Sequence, residues 1–326
     1  MHRHLFQNLL QQQLITEAEY RNVEEHRTMF SLFWELRSLL YLGIVLFTTA
    51  IGVLVYKHID TVGHDVLVIC IAAGGATCFA YCLKNAPGYS REKLNFQGFW
   101  YDYILLLGCL LLLVFVGYIQ AQYNVFGHRW GLAAFIPMLL LFIAAYYFDH
   151  LGVLSLAITN LAAWVGITAT PTRILQQNDF NSEPTIYSAI ALGVTLIAIG
   201  FFSTIKKVKA HFSFTYQNFG VHILFIALLA ALFHFDSMFL LWFGVLAVVG
   251  FLSFRNGVHM KSFYFLVISA LYFWIGISYV VVKLLTGSGA DIGSFYAVVL
   301  YFILSGVGFI RLLIHYNKIL RRHADL

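Results

Sequence analysis

Read for polarity alone, the chain is a series of long apolar segments divided by short polar ones. The stretch Tyr103–Gln122 sets the type, twenty residues without one charge. Rising about 1.5 Å per residue as a helix, it crosses a hydrocarbon core of roughly 30 Å. Nine further segments share its character, so the pattern predicts an all-α, polytopic integral membrane bundle of about ten transmembrane helices. The first two fall at Ser38–Tyr56 and Val66–Leu83, and a third starts near Phe99. The fourth is Trp130–Phe148, and a turn at Asp149 and His150 leads into a fifth that ends near Ala169. A longer loop with Pro171, Arg173, Asp179, Glu183 and Pro184 precedes a sixth at Thr185–Ile205. The last four are Phe219–Phe235, Met238–Phe254, Ser262–Val282 and Ile292–Ile310.

Residues 1–30 follow another rule. Leu5, Leu9 and Leu10 make one short apolar stripe, and Thr16 with Glu19 forms a capping box that opens a helix through Glu24 and Glu25. The chain therefore divides into a cytoplasmic amphipathic helical N-terminus, 1–30, and a membrane bundle, 31–326. The N-terminus fits an interfacial helix pair under the membrane, or a docking surface for a protein partner. No cleavable leader is expected, because no early apolar run ends at a small-residue cleavage site.

Composition agrees. Sixty per cent of the residues are hydrophobic and 11% charged, where soluble domains carry about 25% charge. The net charge of +5 matters less than its distribution. With the N-terminus inside, sixteen Lys and Arg face the cytoplasm and only Lys57, Arg129, Arg173 and Lys283 face outward. That bias predicts both termini in the cytoplasm. Trp34 and Trp100 then fall at inner boundaries, Trp130 and Trp242 at outer ones, as an aromatic belt requires. Membrane lipids are the expected surroundings, and nucleic acid is not an expected partner.

An internal repeat is also suggested. Leu156, Ile158, Leu161, Trp164, Gly166 and Ile167 match Leu266, Ile268, Leu271, Trp274, Gly276 and Ile277 at a constant offset. The offset spans four helices, so the copies would be parallel four-helix units rather than inverted ones. Chance identity between low-diversity apolar segments is the competing explanation.

Ionisable groups deep in a bilayer usually mark function, and here none of the predicted helices has Asp, Glu, Lys or Arg at its centre. Asp102, Asp149 and Asp236 sit near helix ends, where water would reach them. Lys206, Lys207 and Lys209 would lie against anionic lipid as an anchor. The amide near a helix centre is Asn160, with Thr159 beside it and Trp164 one turn on; together they form the candidate substrate site. The same amide could simply hold a neighbouring helix at about 1 kcal/mol. Pro137 would kink the fourth helix, and Ala72–Ala76 would let the second approach a neighbour closely. His58, Asp60, His64 and Asp65 crowd the first outer loop and are weak candidates for metal ligation. His222 lies near Asn218, and His234 with Asp236 caps the outer end of the seventh helix. The four cysteines read as small apolar residues, not as a disulfide framework or zinc site. No phosphate-binding, metallohydrolase, serine-nucleophile or paired-cysteine motif occurs. No catalytic residue and no cofactor is expected, and the chain reads as a non-enzyme.

The run Leu14-Ile15-Thr16-Glu17-Ala18-Glu19 is followed by Leu39-Leu40-Tyr41-Leu42-Gly43 and Gly52-Val53-Leu54-Val55-Tyr56. This opening resembles a family of bacterial multi-pass membrane proteins known as domain of unknown function 2157. The resemblance covers roughly the first eighty residues. It implies a bacterial inner membrane, and it transfers no activity and no site residue. Two functions are therefore carried forward: a transporter-like or lipid-handling protein, and a non-catalytic scaffold in an envelope complex. A membrane enzyme is supported only by the outer His and Asp group.

Overall fold

The computed structural model describes residues 16, 33–86, 88–94, 100–169, 182–259, 262–287 and 292–322. The predicted N-terminal helices, before Phe30, lie outside this set. Ten long helices follow in order: α1 (Phe33–Val62), α2 (His64–Asn85), α3 (Tyr101–Tyr123), α4 (Trp130–Phe148) and α5 (Leu151–Ala169). After them come α6 (Glu183–Ile205), α7 (Ser213–His234), α8 (Phe239–His259), α9 (Phe263–Thr286) and α10 (Ile292–Arg322). Short 3-10 turns at Ala210–Phe212 and Asp236–Met238 lead into α7 and α8. No strand occurs among the described residues. Among the described residues nine helical segments, from α2 to α10, are long and apolar enough to span a membrane, and α1 carries a shorter apolar stretch, Ser38–Leu54. The all-helical membrane bundle is as expected.

Several boundaries run past the apolar pattern, and at α10 and α1 the reason is the same. α10 runs past Ile310 to Arg322, and α1 past Tyr56 to Val62. A helix leaving hydrocarbon satisfies its own backbone and has no cause to stop where polarity begins. The loop expected after the first helix therefore shrinks to Gly63, whose φ of 81° suits a residue without Cβ. His58 and Asp60 belong to α1, and His64 and Asp65 open α2.

Consecutive helices pack as antiparallel hairpins, and the tightest is α6 with α7. A Cβ built on Gly193 would lie 2.8 Å from the backbone nitrogen of Leu224, and one on Gly220 would lie 2.9 Å from the carbonyl of Gly193. Gly200 meets Gln217 as closely, at 2.8 Å. Lipid tails are as apolar as leucine, so association here rests on close packing, which small residues permit. The Ala72–Ala76 run does face α3, at Leu111, but Gly108 of α3 meets Cys78 of α2 more closely, at 2.9 Å. The described cysteines carry free thiols. One buried cluster joins α3, α4, α5 and α6 around Leu105, Leu141, Leu154 and Leu196. A second joins α7, α8 and α9 around Phe225, Leu228, Leu246 and Phe265.

Candidate functional site

Three connecting segments meet at one end of the bundle: the loop after α2, the α4–α5 turn and the α6–α7 turn. Asp149 sits at their centre in left-handed backbone, φ 57°, and Lys209 matches it at φ 49°. Lys209 Nζ donates to Asp149 Oδ1 at 2.6 Å, with side-chain exposures of 0% and 1%. His211 Nε2 approaches the same oxygen at 2.8 Å, and the Leu94 amide donates to Oδ2. The Lys209 amide donates in turn to the Arg91 carbonyl, and Ser203 Oγ donates to the Lys209 carbonyl. The ammonium also lies 5.6 Å from the Tyr89 ring centre. Burial by itself would raise the Asp149 pKa; the Lys209 ammonium, the Leu94 amide and His211 outweigh it and hold the carboxyl below its ordinary range. Two expectations are corrected here. Asp149 is not open to water, and Lys209 is not a lipid anchor, because each is buried against the other. Lys206 and Lys207 remain exposed.

Beside this clasp, His150 caps α5, its Nδ1 accepting from the Val153 amide, while its Nε2 faces Asp102 at 3.8 Å. Between α7 and α9 the polar groups form a chain. Tyr264 donates its hydroxyl to Asn218 Oδ1, so His222 Nε2 carries the proton that points at Tyr264, and Nδ1 accepts from Tyr272. His222 is thus a satisfied helix contact. At the opposite end, His64 Nδ1 meets the Tyr118 hydroxyl at 2.6 Å and Asp65 accepts from Tyr123. The side chains of His58 and Asp60 lie outside the described ones, and no group of three metal-ligating side chains gathers among the described residues.

Of the candidate substrate residues, Asn160 and Trp164 both meet α4, and Thr159 turns elsewhere. Asn160 Nδ2 donates to the Ala134 carbonyl of α4 at 2.8 Å, next to the carbonyl that Pro137 deprives of its helical donor. Trp164 packs on Phe135 of the same helix, with ring centres 5.3 Å apart. Thr159 is exposed and donates to the Ser155 carbonyl of its own helix. Asn160→Leu is accordingly expected to lower stability by about 1 kcal/mol, read as a small fall in the thermal midpoint in detergent.

Lateral cavities lie elsewhere, one of about 440 Å³ between α1 and α3 and two between the later helices. The larger, about 470 Å³, is a slot between α8, α9 and α10. Gly250, Ala270 and Gly308 make its room, and a Cβ on Gly308 would meet nothing within 4 Å. Trp274 lines it, stacked on Phe309 with centres 5.6 Å apart. The Trp274 Nε1 is buried without a hydrogen-bond partner, and Phe302 stands edge-on to that ring. Toward the clasped end Phe254 and Tyr316 meet edge to face, at 4.9 Å. The hydroxyls at the slot are spent within the protein: Ser269 on Ser253, Tyr301 on Ser278 and Ser305 on the Phe302 carbonyl. The smaller cavity, about 370 Å³, is a cleft between α6, α7 and α8. Neither was evident in the sequence, since their walls are the same apolar and small residues that pack helices everywhere.

Residues 4–154 match the family described as "Predicted membrane protein (DUF2157)". The match contains the residues that carried the resemblance and ends inside α5, so the DUF2157 segment includes Asp149 but not Lys209. The chain is a membrane protein, and the DUF2157 description adds no activity to that. The slot and the cleft lie beyond the matched segment, whereas the α1–α3 cavity lies inside it. No curated protein and no solved structure matches the chain.

Proposed function

We propose that this is a lipid-handling protein of a bacterial inner membrane, with both termini and the clasped end in the cytoplasm, and that the slot between α8, α9 and α10 admits an apolar chain sideways from the bilayer. The orientation is supported by the sixteen-to-four bias of Lys and Arg. The slot carries the functional reading. It is a lateral opening of about 470 Å³ with aromatic and small walls, and its hydroxyls are already paired. Ligand sites of this volume are mostly apolar, and a polar solute would find few groups here to replace its water. A hydrocarbon chain needs none.

Gly308→Leu tests this, because the new side chain enters open space and leaves the fold alone. Native mass spectrometry of the full chain, extracted with its lipids, should show an apolar molecule on the wild type. The variant should hold it about tenfold more weakly at an unchanged thermal midpoint. An identical set of bound molecules in both proteins refutes the slot.

A further inference from the structure

The cleft between α6, α7 and α8 is graded in polarity along its length. Its clasped end is lined by Gln217, Ser253 and Asn256; further in, Val194, Leu224 and Val249 leave it wholly apolar. Val194 lies eleven residues before the end of α6, and Leu224 eleven residues after the start of α7. At about 1.5 Å per residue the cleft reaches roughly 16 Å inward from the clasped end. That is about half of a 30 Å hydrocarbon core, the depth of a single leaflet. Its volume, about 370 Å³, is smaller than the slot's and suits one chain better than two.

The chain at the clasped ends of α6 and α8 is basic. Lys206 and Lys207 follow α6 directly, Arg255 precedes Asn256 on α8, and all three are exposed. Lys209, the other basic residue of the α6–α7 turn, is committed to Asp149. Neither 200–222 nor 245–262 contains an acidic residue that would neutralise them.

We infer that this cleft is a binding site for one anionic phospholipid of the leaflet at the clasped end, with one acyl chain between α6 and α8 and the phosphate on Lys206, Lys207 and Arg255. The uncharged amides and hydroxyl at the polar end sit where the ester carbonyls of such a lipid lie. Hydrocarbon, ester and phosphate each meet their own chemistry in order of depth. The inference shares with the slot only the premise that lateral cavities take lipid, and it concerns a separate cavity.

The test is titration of the full chain, in a neutral detergent, with phosphatidylglycerol and phosphatidylcholine of identical chains, read by native mass spectrometry. Each basic residue near a membrane surface contributes attraction enough that wild type should favour phosphatidylglycerol at least about tenfold. The triple variant Lys206→Gln, Lys207→Gln, Arg255→Gln should bring that ratio close to one, with phosphatidylcholine binding unchanged. Glycerol phosphate, which has no chain, should not compete. Equal binding of the two lipids by wild type, a preference that survives the triple variant, or competition by glycerol phosphate each overturns the inference. Gly308→Leu should leave the preference intact. Its loss there would place the lipid in the slot and overturn the cleft while sparing the slot.

Discussion

Lys209→Met is expected to destabilise the protein by about 3–5 kcal/mol, the range for removing one partner of a buried ion pair. The substitution keeps the length and apolar stem of the side chain but leaves the Asp149 carboxylate, 1% exposed, with His211 and the Leu94 amide as its partners among the described residues. Removing both charges together is a different matter. Asn tolerates the left-handed backbone at position 149, so Asp149→Asn in the Lys209→Met background should restore most of the loss. Thermal unfolding in detergent, followed by helical circular dichroism, measures both. Equal damage from the single and double variants would mean that the clasp acts through packing and not charge. Acid gives a second reading. The Asp149 carboxyl titrates lower folded than unfolded, so its stabilisation is complete above the ordinary value of 3.8 and fades as pH falls through the folded value. Asp149→Asn should remove that part of the acid sensitivity.

Gly193→Ala is the second large effect, and its sign is a contest of magnitudes. Alanine is the better helix former by about 1 kcal/mol. Its methyl would lie 2.8 Å from the Leu224 backbone nitrogen and 2.9 Å from the Leu224 Cα, atoms that move only if α7 moves. Overpacking of this kind costs about 1–3 kcal/mol, and a backbone neighbour places it at the upper end. The clash therefore wins, and the thermal midpoint should fall. Gly244→Ala is the matched control, since nothing lies within 4 Å of its Cβ, and there propensity alone should hold or raise the midpoint. A neutral Gly193→Ala would show that α6 and α7 can separate freely.

The helices were legible because the bilayer imposes one length and one polarity on anything that crosses it. The turn at Asp149 and His150 was visible for the same reason. The ends of α1 and α10 were not, because hydropathy reports where lipid stops, whereas a helix stops where its own hydrogen bonding does. Lys209 was misread for want of tertiary information. In sequence it is the third lysine of a short basic run, and only the fold brings a carboxylate to it from the α4–α5 turn. Asn160 was located correctly at the middle of α5, but its partner is a backbone carbonyl, which no side-chain pattern discloses. The slot and the cleft were hidden more deeply. Gly308 on open space and Gly193 against Leu224 are the same letter, and only the neighbour distinguishes a cavity wall from a contact.

The clasp also sets an order on how the chain is made. Asp149 and Lys209 are separated by sixty residues, and α5 and α6 lie between them. A ribosome that has delivered α4 and α5 to the insertion machinery has delivered an acid whose counter-ion is still untranslated. Closure of the Asp149–Lys209 pair therefore cannot precede the synthesis of α5 and α6.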